Sequence, residues 1–258
     1  MTKLGIVTDV HSDIVSLDVA LARMKVMGVE LVVCAGDLCD GDVFPDEVIA
    51  RLEADKIPTI RGNHDRWALE RVGRLRAAGH RREDLHAQGP SSVYDAGEGL
   101  LGGGQELSEA SLRYLASLPT SLDLELEGIR VAVRHARPSG MGVNDMVGID
   151  PRTTSPTQLV NLLELAGRAD VLLVGHTHER FAVYVQRSGL SEGLVANPGA
   201  LWSGGTEYEK RGGLYVPGAP SHGTFGVLEL PALRFSVYRA ADGAEVLSGK
   251  APKHEGKE

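Results

Sequence analysis

The chain of 258 residues has only two cysteines, Cys34 and Cys39, no excess of basic charge, and no apolar run of eighteen residues. Two cysteines so close together cannot staple a disulfide framework, so a reduced, cytoplasmic protein is expected. Without a long apolar run no membrane-spanning helix is expected. Met1-Thr-Lys-Leu-Gly-Ile-Val7 passes directly into a strand-like segment with no signal-peptide layout. A formal net charge of -8 argues against bulk binding of nucleic acid through a basic surface. An anionic substrate stays open, because bound metal ions reverse the sign locally. Neither a solenoid repeat nor a linker-like break in composition occurs. One domain over residues 1–250 is therefore expected, with a disordered polar tail at 251–258.

What is present is a rhythm of short apolar runs and amphipathic helices. Leu4–Val7 and Leu31–Cys34 read as buried strands, and Ile57–Ile60 as a third. Between the first two, Ile14, Leu17, Leu21 and Met24 recur at helical spacing, with Ser12 or Asp13 as the cap and Gly28 as the stop. Pro45 followed by Asp46 and Glu47 opens another helix. This alternation predicts an α/β fold with a parallel sheet. The regularity weakens over residues 66–118, which are expected to form a helical cap insertion. That stretch is rich in arginine, either as a solvated helix face or as a lid that meets an anion. Leu122, Leu124 and Leu126, then Ile129, Val131 and Val133, alternate with polar residues as a β-hairpin does. A long loop, a helix from Pro156, a buried strand at Val171–Val174 and two strands around Phe225–Leu230 and Arg234–Tyr238 complete the pattern.

The apolar runs end alike. They deliver Asp9 and His11, Asp37, Asn63 and His64, His135, and His176 and His178, so five of the nine histidines sit at strand ends. Residues two apart on extended chain point the same way, so Asp9 with His11, and His176 with His178, can each present a pair of ligands. The carboxyl ends of strands are where α/β sheets build their sites. Singly, Asp9 could cap the next helix, Asp37 could serve a turn, and His135 could be structural. Jointly they form a mixed carboxylate, imidazole and amide set suited to Mn²⁺, Fe²⁺/³⁺ or Zn²⁺ rather than Ca²⁺. Seven potential ligands exceed the needs of one ion and suit two. Two such ions, about 3.5–4 Å apart, generate hydroxide at neutral pH and clamp an in-line displacement at phosphorus.

Asp9-x-His11, Gly36-Asp37, Gly62-Asn63-His64-Asp65, His135 and Gly175-His176-x-His178 resemble, in order, the motifs of the calcineurin-like metallophosphoesterase superfamily. Asn197-Pro198-Gly199-Ala200 resembles a turn of its small bacterial and archaeal phosphodiesterase branch. The resemblance implies a four-layer α-β-β-α sandwich with two mixed β-sheets. It also implies that Asp9, His11 and His178 bind one metal, that Asn63, His135 and His176 bind the other, and that Asp37 bridges them. His64 matches the family's non-ligand histidine, a general acid or transition-state stabiliser near the leaving group. Imidazole is suited to that task near pH 7. Asp65 or Asp40 could orient it, and Asp65 is counted with His64 as a catalytic candidate.

The chain also departs from the family's patterns. Ser12 stands where glycine is usual after His11. Asp40 is followed by Gly41 and Asp42, so the Asp-Arg pair of the protein serine/threonine phosphatases is missing. After His135 comes Ala136-Arg137-Pro138, which gives Arg137 a reach toward phosphate. The expectation is a two-metal phosphodiesterase or phosphatase acting on small phosphate esters or nucleotides through a metal-bridging hydroxide. Asn63, His64 and Arg137 would contact substrate. Manganese is the favoured ion, with iron, zinc, nickel and cobalt as alternatives, and a homo-oligomer is compatible. The rival activities are dinucleoside polyphosphate hydrolysis and protein phosphatase action. A non-catalytic metal-binding scaffold is the rival from another class.

Overall fold

Three apolar cores separate four layers of secondary structure. The computed structural model describes residues 1–40, 45–77, 107–139, 147–187, 192–202, 206–211, 214–220 and 223–249. Among them are β1 (Thr2–Val7), α1 (Ile14–Val26), β2 (Leu31–Cys34), α2 (Pro45–Ala54), α3 (Asn63–Ala77), α4 (Glu109–Ser117), β3 (Ser121–Leu126), β4 (Ile129–Arg134) and α5 (Pro156–Leu165). There follow β5 (Val171–Leu173), β6 (Arg180–Val185), β7 (Gly193–Pro198), β8 (Thr206–Arg211), β9 (Leu214–Pro220), β10 (Thr224–Leu230), β11 (Arg234–Arg239) and β12 (Glu245–Gly249).

One sheet runs β12-β11-β10-β1-β2 and the other β3-β4-β5-β7-β6, with β8 and β9 as a separate pair. Both large sheets are mixed: β1 is parallel to β2 and antiparallel to β10, while β5 is parallel to β4 and β7. Strand periodicity sorts side chains to opposite faces. Val131 and Val133 of β4, Val171 and Leu173 of β5, and Leu194 and Ala196 of β7 face the other sheet, where they meet Leu4, Ile6, Leu228 and Phe235. Their neighbours Ala132, Leu172 and Val195 face outward onto Leu159, Leu162 and Leu163 of α5. Val7, Cys34, Phe225 and Val227 turn to the remaining helices, meeting Leu17, Met24, Ile49, Leu52, Ala68 and Leu115. The order is therefore helix, sheet, sheet, helix.

Local chemistry sets the helix ends. Asp13 rather than Ser12 caps α1, accepting the Ser16 N–H at 2.8 Å. Ser155 and Gln158 form a reciprocal capping box on α5 with Pro156 at its start. Both sheets are mixed, as the resemblance implies; in the first, β10 returns from more than two hundred residues away to lie beside β1, a pairing that local patterning cannot register. One expectation is corrected. Ile57–Ile60 forms no strand but a single parallel bridge, Cys34 to Thr59. Pro58 has no N–H to give a ladder, and only its carbonyl is used, by the Cys34 N–H at 2.9 Å.

Of the expected cap at 66–118, the flanking helices α3 and α4 are described and pack together. Residues 78–106, with Arg81, Arg82 and the run Gly102 to Gly104, lie outside the described residues, as do Gly140, Gly142 and the tail at 251–258. No helix among the described residues is long and apolar enough to cross a membrane.

Candidate metal centre

The parallel strands β1 and β2 of one sheet and β4 and β5 of the other end side by side, and the residues just beyond those ends converge. Asp9, His11 and His178 present ligand atoms within 4.8 Å of one another, and so do Asp37, His135 and His176. Asn63, the first residue of α3, places its Oδ1 at 2.9 Å from His135 Nε2 and 2.8 Å from His176 Nδ1. All seven ligand candidates read from the sequence are thus in one place. His11 and His178 bring their Nε2 atoms to 3.1 Å.

The turns that carry these side chains are conformationally costly. Asp9, His11, Asp37, His176 and His178 all have positive φ, between 47° and 70°. A non-glycine residue pays about 1–3 kcal/mol in that region, and such strain persists only where surrounding structure imposes it. Here the imposing bonds join the turns at neighbouring strand ends, within one sheet and across to the other. The Asp9 and His11 N–H groups donate to the Gly36 and Asp37 carbonyls at 2.9 and 3.0 Å. The His176 N–H donates to both Asp9 oxygens at 3.1 Å. Beyond β7, Leu201 and Trp202 donate to the Thr8 and Asp9 carbonyls. Fully buried Asn197 holds the turn after β5, donating to the Gly175 carbonyl at 2.8 Å and to Thr177 Oγ1 at 3.2 Å.

Backbone carbonyls fix two rings. His135 Nδ1 lies 2.7 Å from the Ala35 carbonyl, and His11 Nδ1 lies within 3.0 Å of the Cys39 and Asp40 carbonyls. A carbonyl only accepts, so each Nδ1 carries its proton and each Nε2 is turned to the centre, the arrangement that metal-binding imidazoles require. The converging atoms are thus imidazole nitrogens, the Asn63 amide oxygen and carboxylate oxygens. Such a set is complementary to a cation, and its N and O atoms suit a first-row divalent ion.

The electrostatics point the same way. Asp9 and Asp37 are buried, and among the described residues their partners are backbone N–H groups, the Thr8 hydroxyl and histidines. Burial raises Asp37, but the charge and hydrogen bond of His135, 3.0 Å away, hold it well below the usual carboxylate range. Burial lowers His135, and the same aspartate outweighs that and lifts it to about 10. Burial depresses His11. Cys34 and Cys39, buried behind the centre, have thiols pushed up by desolvation and are poor nucleophiles.

His64 stands beside these groups with its ring centroid 4.9 Å from that of His11 and 4.8 Å from that of Trp67. Of the two carboxylates that could orient it, Asp40 reaches the ring: Oδ2 lies 2.7 Å from Nδ1. Burial lowers His64, but this hydrogen bond and the Asp37 and Asp40 charges raise it overall. Asp65 is turned inward and fully buried, and its oxygens accept backbone N–H groups. Arg137 is half-buried, with its N–H donating to the Val147 carbonyl at 3.0 Å. Thr8, bonded to Asp9, and Trp67 and Trp202, which flank His64 and His11, were not legible as site residues. No spacing rule marks them, although Trp202 follows the Asn197-Pro198-Gly199 turn closely.

Comparison with known proteins accounts for this arrangement. An uncharacterized protein of Methanocaldococcus jannaschii is 20% identical over 180 residues, which are 70% of this chain and 64% of that protein. The match thus spans less than two thirds of that relative's length. A hypothetical protein from Pyrococcus horikoshii has a similar fold, with a TM-score of 0.64 and 17% identity, over 93% of this chain and 88% of its own. A metallophosphoesterase from Sphaerobacter thermophilus gives a TM-score of 0.57 and 17% identity over 92% and 87%. At such identities the likeness is one of fold. The model of the calcineurin-like phosphoesterase superfamily domain matches residues 2–214, most of the chain. The chain therefore belongs to the calcineurin-like phosphoesterase superfamily.

Proposed function

We propose that this protein is a two-metal phosphoesterase that hydrolyses small phosphate esters, phosphodiesters and nucleotides among them, in the cytoplasm. The observation that carries the reading is the pair of adjacent ligand groups, Asp9/His11/His178 and Asp37/His135/His176, with a non-ligand histidine beside them. In this reading Asn63 completes the second group and Asp37 is shared by both. Manganese is the ion favoured by the mixed oxygen and nitrogen donors. When bound, such ions supply Lewis acidity to the phosphoryl oxygens and a nucleophile from water at neutral pH.

The remaining work falls to side chains. His64 has Nδ1 committed to Asp40, so Nε2 is its working edge. Its raised pKa favours the imidazolium, which can hand a proton to the departing alkoxide oxygen as the P–O bond breaks. Asp40, itself 7% exposed, holds the tautomer and balances the charge. In this reading Asn63 and Arg137 contact the substrate, the amide beside the reacting phosphate and the guanidinium as a further anion partner. Asp65 supports these groups without touching them. The segment 66–118 is assigned to substrate choice, as a cap on a single domain.

The test is hydrolysis of bis-p-nitrophenyl phosphate and p-nitrophenyl phosphate with added Mn²⁺. The reading requires activity that is lost on chelation and restored by metal. It also requires that His64→Ala keep its metal and lose most of its turnover on alkyl phosphate esters, whose leaving oxygen needs a proton; unchanged turnover of that variant on those esters would remove His64 from the reaction.

A further inference from the structure

Asp65 is the third residue of α3 and has no exposure, yet four backbone N–H groups converge on its carboxylate. Oδ2 accepts from Gly62 at 2.9 Å and from Asp37 at 3.0 Å. Oδ1 accepts from Leu38 at 2.8 Å and from Cys39 at 3.2 Å. The Gly62 bond is ordinary: a carboxylate at the third helical position reaches back to the residue before the helix, as in a capping box. A cap needs nothing more. The other three donors come from the turn after β2, far away in sequence, which carries Asp37.

Asp37 reciprocates. Its Oδ1 accepts the His64 N–H at 2.9 Å, which leaves Oδ2 facing His135 Nε2 at 3.0 Å. Each aspartate thus accepts from the backbone of the other's turn. The two turns touch through their glycines: a Cβ on Gly36 would lie 2.6 Å from the Gly62 nitrogen, and one on Gly62 would strike Asp37 Oδ1. Asp37 itself has a φ of 56°, a conformation that its own sequence does not favour.

We infer that Asp65 is a positioning residue, whose carboxylate clamps the Asp37 turn against the start of α3 and so presents the Asp37 carboxylate, preformed, to the metal pair. The inference rests on Asp37 as a metal ligand and extends that reading to the residue that holds it. A clamp explains why a buried carboxylate without a lysine or arginine among its described partners stands here, since four N–H dipoles solvate it. It also separates Asp65 from Asp40: one aims a backbone turn, the other an imidazole.

Two measurements test it. In the wild-type protein freed of metal, hydrogen exchange should already find the amides of Asp37, Leu38 and Cys39 strongly protected. Fast exchange there that becomes slow only on adding Mn²⁺ would overturn the inference, because the ion would then be organising the turn. Second, Asp65→Asn replaces one acceptor oxygen by an N–H₂ that opposes two backbone donors. Its Mn²⁺ affinity, read by the free-ion signal in electron paramagnetic resonance, should fall about 10–100-fold, the usual cost of losing a group that orients a ligand. Asp170→Ala, which breaks an ion pair remote from the centre, serves as the control for general destabilisation and should keep wild-type affinity. Wild-type affinity in Asp65→Asn, or equal losses in both variants, would contradict the clamp. A wild-type protein that binds Mn²⁺ and hydrolyses no ester would end the proposed activity and leave the clamp standing; one that binds no Mn²⁺ would end both.

Discussion

Oδ2 of Asp40 lies 2.7 Å from Nδ1 of His64, although 24 residues separate the two in sequence. If the ring donates a proton to the leaving oxygen, its value depends on how badly that oxygen needs one. Asp40→Asn should lower kcat about 10–100-fold on alkyl phosphate esters, at or below the low end of the about 10²–10⁴-fold that acid–base assistance contributes, because the imidazole itself remains. The loss should be far smaller on p-nitrophenyl esters, whose leaving group departs without a proton. A series of leaving groups of graded acidity checks this, and equal losses across the series would refute the assignment.

Gly62 has no room for a side chain. A Cβ there would collide with Asp37 Oδ1 and stand 2.5 Å from the Asp37 nitrogen. Gly62→Ala should therefore displace the Asp37 carboxylate, reducing bound metal and activity together. Overpacking of this kind costs about 1–3 kcal/mol, so the chain should still fold. Circular dichroism with metal analysis on one sample decides it, and full metal content in the variant would show that the turn yields.

Away from the centre, Arg187 is 2% exposed and donates to Asp170 Oδ1 at 2.6 Å and to the Ala169 carbonyl at 3.0 Å. Asp170 also accepts the Arg130 N–H at 2.9 Å. Burial raises Asp170, but these partners outweigh it and depress its pKa. A carboxyl group whose folded pKa is depressed adds stability above its unfolded value, near 3.9, and loses it as pH falls through the folded value. Asp170→Ala should cost about 3 kcal/mol at pH 7, the low end for breaking a buried pair because Asp170 keeps some solvent contact. The gap between wild type and variant in urea melts should close below about pH 4. A gap constant from pH 7 to pH 3 would mean that the charge contributes nothing.

Much of the site was legible because its chemistry is written at strand ends. Asp9, His11, Asp37, Asn63, His135, His176 and His178 follow apolar runs, and a parallel arrangement carries such ends to one edge. Their strained φ values leave no trace in composition, and only Ser12, standing where a glycine is usual, hinted at them. The choice between Asp40 and Asp65 could not be read from spacing, because Asp65 follows His64 directly but turns inward, whereas Asp40 reaches the ring only after two turns meet at Gly36 and Gly62. The hairpin from Ser121 to Arg134 was plain from its alternation. Strands β6 and β12 were not, since their burial alternates irregularly and both lie on the edges of their sheets. Mixed sheets were implied by the resemblance, but the pairing of β1 with β10 had no local signal, because the two strands meet by tertiary packing across more than two hundred residues.

The central claim is that two cations sit together among these side chains. Crystals grown with Mn²⁺ and measured for its anomalous scattering test it directly. The account predicts two peaks, about 3.5–4 Å apart, one beside Asp9, His11 and His178 and the other beside Asn63, His135 and His176, with Asp37 in contact with both. A single peak, or none within reach of Asp37, would contradict it.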